Sequence, residues 1–511
     1  MKINQIKAGA VLSYTNTFVG VFIGLLYVPL VLKILSIEEY GLYQIIGAIT
    51  AYLGLMDLRL STTTVRYYSQ ALAQQDKKRE REVTSTSLII YLCMAAILIL
   101  AGFPLMKLFL SVYSPTLTDF QQREGITMLW LGIVSFALAF PTNVFSAVIN
   151  SHERFVFLRM VSIVSSVVRP FLSYALLMVK PYAVTLSFVQ LILAVAMLLG
   201  YYLYDKKILH VSFSVKHFDK DLSFAMLKFS FFLIVVAVVD LVYWQAGKLF
   251  LGAMIGTASA AIFSFAIQIT QYYVTISSSL NSLMFPKVSK LVTAIEDNSG
   301  EINRLFISYS RVQGVVLGLV LSGFIVYGKA FIMLWIGDQY SLVYYLTLCL
   351  MIPFSWDLTQ NFGITVINAM NKHKYRAWLY SGVVMIYIVL CYPVIKMYGA
   401  VGCAVLSGVC IFLGNGLGLS ILYSRVAQLK TRYYFYWMLR LAVPLLFSFV
   451  LGTSIQKYYP IEGWLSLILQ ISMYCLYYSI CIYWMYLTKN TRSKIVHKAR
   501  TLGKRIHPSS I

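Results

Sequence analysis

Long apolar runs, each close to 20 residues and separated by short polar links, recur along nearly all of this 511-residue chain. A run of about 20 residues crosses roughly 30 Å of hydrocarbon as a helix, and about fourteen such runs are present. Their approximate extents are 10–33, 41–61, 84–110, 124–149, 155–179, 182–204, 223–251, 257–285, 305–327, 341–369, 376–396, 399–424, 433–455 and 462–487. Lipid-exposed backbone must satisfy its own hydrogen bonds, and the runs lack the alternation of barrel strands, so they read as helices. With 59% hydrophobic and 12% charged residues the chain is no soluble globule. The fold class expected is an all-α polytopic membrane protein.

The net charge of +23 could in other settings point to nucleic acid, but here the basic residues occupy alternate loops. If the N-terminus is cytoplasmic, the inner links carry Lys77, Lys78, Arg79 and Arg81; Lys206, Lys207, Lys216 and Lys220; Lys372, Lys374 and Arg376; and a basic tail from Lys489. The outer links hold scattered single charges such as Lys180 and Lys329. The positive-inside rule then puts both termini in the cytoplasm and leaves no reason to invoke nucleic acid. The first run has no small-residue cleavage site and reads as a retained helix. The six histidines are dispersed and the seven cysteines lack metal-ligand spacing, so no metal or cofactor is expected, and the cysteines read as buried and reduced.

The chain also repeats itself. "SAVINSHERFVFLRMVSIVSSVV" from Ser146 recurs as "ITVINAMNKHKYRAWLYSGVVMI" from Ile364, with Asn150 over Asn368 at an offset of about 218, and Gly41 onward aligns with Ala261 onward at nearly that spacing. A duplicated six-helix unit predicts lobes 1–222 and 223–432, two further helices over 433–488 and a basic tail over 489–511. An even-numbered unit keeps both copies in one orientation, as in transporters with parallel repeats, and makes the space between the lobes the expected substrate path.

The stretches "KAGAVLSYTNTFVGVFIGLLYVPLVLKILSIEEYGLYQ", "GLMDLRLSTTTVRYYSQ" and "LFLGAMIGTASAAIFSFAIQI" together resemble the Wzx-type oligosaccharide flippases of the multidrug/oligosaccharidyl-lipid/polysaccharide exporter superfamily. The resemblance implies two MATE-like lobes in the bacterial inner membrane. It implies a cargo of undecaprenyl-pyrophosphate-linked oligosaccharide for O-antigen, capsule or exopolysaccharide, with a polysaccharide polymerase and other assembly proteins as partners. Two places depart from the family pattern: Asp57-Leu58-Arg59-Leu60 stands where Asp-Leu-Gly-Leu is common, and Gly247-Lys248 where an acidic residue often precedes the base. A MATE-type drug exporter or a flippase for lipid-linked peptidoglycan precursor are the alternatives.

Charges deep in a span mark function by default because they are expensive in lipid. Arg59, Thr62, Thr63 and Arg66 fall at i, i+3, i+4 and i+7, one stripe if span 2 is a continuous helix. Two readings of the stripe stay open: arginines snorkelling to headgroups, or the wall of a water-filled cavity. Arg59, Arg66, Arg169 and Lys248 are the candidates for a pyrophosphate, arginine's planar fork giving two charge-assisted bonds at once. Asp57, Asp240 and Asp357 are the candidates for coupling to H+ or Na+, since gain or loss of a charge can shift the favoured conformation. Pro29 and Pro170 are hinge candidates. A membrane-embedded enzyme is disfavoured, because no catalytic carboxylate pair, nucleophile triad or phosphate-cradling glycine loop appears. The one Asp-x-Asp, Asp219-Lys220-Asp221, reads as a solvated linker pair.

Overall fold

The computed structural model describes residues 5–57, 60–211, 213, 215, 217–282, 288, 290–291, 299–370, 372–489 and 492–493. Among these there are helices and no strands. In chain order the helices are α1 (Gln5–Leu32), α2 (Ile37–Leu53), α3 (Leu60–Ala73), α4 (Lys77–Tyr113), α5 (Asp119–Ser151), α6 (Phe155–Leu177), α7 (Val184–Lys207), α8 (Lys220–Leu241), α9 (Gly247–Met254) and α10 (Thr257–Ser282). They continue with α11 (Ser299–Ile336), α12 (Leu342–Thr359), α13 (Asn361–Ala369), α14 (His373–Ile411), α15 (Leu419–Val426), α16 (Thr431–Tyr458) and α17 (Trp464–Cys481). Polar side chains start them: Ser36 caps α2, Asp76 caps α4, and Thr118 with Gln121 forms a reciprocal capping box on α5. Each cap satisfies backbone N–H groups that have no partner within the helix.

Eleven of the described helical stretches are long and apolar enough to cross a membrane. One of them, Lys374–Val426, is 53 residues long and would reach about 80 Å as a straight rod, far more than a bilayer. It is a hairpin. Gly399 has φ +60°, a conformation in which glycine suffers no Cβ clash, and beyond it Ser407 Oγ lies 3.3 Å from Tyr387 Oη. A straight helix would hold those two residues about 30 Å apart.

Two compact units result, Met1–Gln268 with Tyr380–Ser407 and Ile269–Leu379 with Gly408–Ile511. They do not coincide with the two sequence repeats, because α8, α9 and the start of α10 pack into the first unit. Tyr52 donates to the Leu241 carbonyl (3.4 Å), Tyr113 to Leu249 (3.1 Å) and Thr116 to Gly252 (3.0 Å), while Tyr40 stacks on Phe265. Leu42, Ile45, Tyr68, Tyr91 and Phe140 form the core of this unit. In the second unit Tyr327, Leu441, Tyr474, Tyr478 and Tyr486 pack α11 against α16 and α17.

Duplication is visible in local geometry. At the end of α5 His152 N donates to Val148 O and Arg154 N to Ile149 O; 218 residues later Met370 N donates to Val366 O and Lys372 N to Ile367 O. All four acceptor residues are buried. The same turn closes the same helix in each copy.

Two expectations about continuity give way to the structure. Span 2 is not one helix: α2 ends at Leu53, Gly54–Asp57 is a 3-10 turn, and α3 begins at Leu60. Thr62, Thr63 and Arg66 all lie on α3, where Thr62 and Arg66 are exposed and Thr63 is fully buried. α1 runs through Pro29 and α6 through Pro170; irregular backbone among the described residues includes the 3-10 turn, Gly399, and π-helical segments at Val242–Ala246, Phe412–Gly418 and Ile482–Tyr486. Asp205 belongs to the last turn of α7, fully buried, not to the basic connector.

Asp219, read from sequence as a solvated linker charge, is a working cap. Its carboxylate accepts from Leu222 N at 3.0 Å and from Arg79 at 2.7 Å. Those two bonds hold its carboxyl below the usual range, so the capped, ion-paired form persists down to pH values below an ordinary aspartate's titration. Cys93 departs from the expected burial of the cysteines and is exposed on α4.

Candidate functional site: a carboxylate in each unit

In the first unit the helix break after α2 presents Asp57. Tyr91 Oη of α4 donates to its Oδ1 at 2.6 Å and Asn143 Nδ2 of α5 to the same oxygen at 3.0 Å. Three helical elements are thus tied at one half-buried carboxylate, and Tyr91 is itself fully buried against Phe140. Tyr91 and Asn143 have counterparts 218 residues on, Tyr309 and Asn361, but in the alignment of Gly41 with Ala261 it is Ser277 that stands where Asp57 would recur. There Tyr309 Oη instead accepts from Gln313 Nε2 at 2.7 Å. The carboxylate belongs to one copy only.

Replacing Asp57 by alanine would strip two donors of an ionised acceptor. Hydrogen bonds to charged groups contribute about 1.5–3 kcal/mol each, so a drop of roughly 3 kcal/mol in unfolding free energy is expected, and a smaller one for Asp57→Asn, which keeps an acceptor oxygen. Thermal melts in detergent measure it; an unchanged melt for the alanine variant would remove Asp57 from this account.

The second unit holds Asp357 near the end of α12, 7% exposed. Asn415 Nδ2 donates to its Oδ2 at 3.0 Å, whereas Asp357 Oδ1 and Asn415 Oδ1 have no hydrogen-bond partner among the described residues. Arg376 is close enough to act on the carboxylate electrostatically. Asn415 sits in the π-helical segment Phe412–Gly418, where widened turns loosen the backbone ladder. One turn further along α12, Gln360 reaches the Gly416 carbonyl (3.5 Å) and accepts from Ser420 (2.7 Å). A buried carboxylate oxygen beside an amide oxygen, both without donors, is chemistry that suits a proton or a small cation.

The remaining candidates are dispersed. Lys248 is buried on α9 directly after the π-helical segment Val242–Ala246, and Asp240 is exposed on α8. Arg66 is exposed on α3, its guanidinium 5.9 Å from the Tyr67 ring centre. Arg169 is exposed on α6, within electrostatic reach of Tyr27 on α1. Arg59 lies outside the described residues. Sequence reasoning passed over Tyr91, Asn143 and Asn415 because it looked for charges alone. Asn415 carried a signal: "LGNGLG" sets an amide among glycines within an apolar run.

The model of a family described as polysaccharide biosynthesis protein matches residues 6–292, more than half of the chain. The chain belongs to that family. A Shigella flexneri protein named "Putative O-antigen transporter" is 24% identical over 410 residues, covering 76% of this chain and 91% of that one. Among solved structures, the lipid II flippase MurJ in an inward closed conformation superposes with a TM-score of 0.70 at 12% identity, over 93% of this chain and 97% of that one. An inward-facing multidrug-resistance MATE transporter of the MOP superfamily gives 0.60 at 13% identity, over 82% and 99%. At such identities the structural likeness speaks for the fold alone, one that this polysaccharide biosynthesis family member shares with MurJ and the MATE transporter. The expected multi-pass, all-helical architecture with MATE-like lobes is what the structure and these neighbours share.

Proposed function

We propose that this protein is a flippase that carries undecaprenyl-pyrophosphate-linked oligosaccharide repeat units across the bacterial inner membrane, for surface polysaccharide synthesis, by alternating access. The observation that carries the reading is the family match over residues 6–292, with the O-antigen transporter relative extending the likeness over most of the chain. The fold shared with a lipid II flippase favours a lipid-linked cargo over a soluble drug. A sugar chain too polar for hydrocarbon would travel in a hydrated path while the polyprenyl tail stays in lipid. Arg66, Arg169, Lys248 and Arg59 are the basic groups proposed to meet the pyrophosphate.

Asp357 is the proposed coupling residue, because one of its oxygens is free to take H+ or Na+ while Asn415 holds the other. Asp57 is better suited to bracing, since Tyr91 and Asn143 already share its oxygen. Deletion of the gene should leave lipid-linked repeat units with their sugars facing the cytoplasm and strip the surface of the glycan; undiminished surface glycan in the deletion strain would refute the reading.

The proposed orientation, both termini cytoplasmic, has its own test. Single cysteines placed in 74–82, 205–221 and 371–376 should resist an impermeant thiol reagent applied from outside, while ones at 114 or 338 should react. The reverse pattern would invert the topology.

A further inference from the structure

Between α6 and α7, within the first unit, lies a cavity of about 770 Å³ with an almost wholly apolar lining that includes Met160, Val164 and Val168 from α6 and Leu193, Met197 and Leu203 from α7. Among the described residues, none in the most apolar stretch of α6 is buried. One end is closed by Phe157 stacked on Tyr204, ring centres 3.8 Å apart. Cations gather at that end: Lys207 lines the cavity, Lys206 stands over the Tyr202 ring, and exposed Arg159 acts electrostatically on Tyr201. The one acid of the last turn of α7, Asp205, is fully buried. From residue 157 to 168 the groove runs about 17 Å along α6, close to a single leaflet, half of the roughly 30 Å hydrocarbon core.

We propose that the α6–α7 groove binds an anionic glycerophospholipid, its acyl chain along Met160, Val164 and Met197 and its phosphate on Lys207. The length fits a chain that belongs to one leaflet; a polyprenyl tail is longer than that. The charge at the closed end selects an anionic headgroup over a zwitterionic one, since a basic cluster at the membrane surface attracts anionic lipid. Occupancy would fasten α6 to α7.

Gly200 gives a clean way to fill the groove: it lines the cavity, and a Cβ built there meets nothing within 4 Å. Detergent-purified protein titrated with dioleoyl-phosphatidylglycerol should show a rise in melting temperature that dioleoyl-phosphatidylcholine does not reproduce, with the phosphatidylglycerol retained in native mass spectrometry. Gly200→Leu should cut retention about tenfold by blocking the chain, and Lys207→Glu by repelling the phosphate, each leaving the lipid-free melt unchanged. Equal stabilisation by both lipids, or wild-type retention in both variants, would overturn the proposal. Displacement of phosphatidylglycerol by polyprenyl phosphate, blocked in the same way by Gly200→Leu, would also overturn it and assign the groove to the cargo's tail.

Discussion

Gly41→Val is expected to abolish transport and to lower the melting temperature, because there is no room for any side chain at that position. A Cβ on Gly41 would overlap the backbone carbonyl of Thr257, the first residue of α10. The obstacle is main chain at a helix start and cannot rotate away as a side-chain tip could. Overpacking costs typically 1–3 kcal/mol and sometimes more. Tyr40 stacked on Phe265 and the Tyr113 and Thr116 bonds to α9 fix the same contact, so α2 has little freedom to retreat. By the proposed topology this contact closes the outer end of the first unit. A bias of about 3 kcal/mol against it would shift the closed-to-open ratio roughly a hundredfold. Gly41→Ala should fall between valine and wild type. Melting and export measured on both variants check the claim, and wild-type values for valine would show that the close approach has no functional weight.

Asp357→Asn should do the opposite: keep the fold and lose the transport. The amide has nearly the shape of the carboxylate, and its oxygen can still accept from Asn415, so little packing changes. What disappears is the charge that would take up an ion. An ion shifts a conformational equilibrium only through its different affinity for the two states, so without that site an H+ or Na+ gradient has no grip on the cycle. If the carboxylate contributes about 3 kcal/mol of that difference, the population ratio changes about a hundredfold when it is removed. Asp357→Leu would also leave the buried Asn415 amide without its acceptor and Arg376 without a neighbouring carboxylate, and should destabilise the protein in addition. Asp357→Asn with full, gradient-dependent transport would move the coupling role elsewhere.

Much of this architecture could be read from residue order. The apolar runs are helical over their described residues because hydrocarbon leaves the backbone no other way to bond, and the Asn150/Asn368 alignment returned as the same pair of backbone hydrogen bonds at the end of each helix. The interruptions could not be read in the same way. Proline does not mark them: α1 and α6 continue through Pro29 and Pro170 because a helix end or a neighbour can accommodate the missing bond. The actual breaks, at Gly54–Asp57 and Phe412–Gly418, depend on what Asp57 and Asn415 find on other helices, information that local sequence does not hold. Asp205 was misplaced for a related reason: "YDKK" looks like solvent, but only one side of that last turn faces it.

The central claim is tested most directly with the purified protein reconstituted into vesicles whose inner leaflet carries a fluorescent polyprenyl-pyrophosphate oligosaccharide, with an impermeant glycosidase outside. The account expects protein-dependent cleavage of inner-leaflet cargo, accelerated by an H+ or Na+ gradient and missing in Asp357→Asn. Cargo that stays protected in vesicles holding verified, folded wild-type protein, across both gradients, would contradict it.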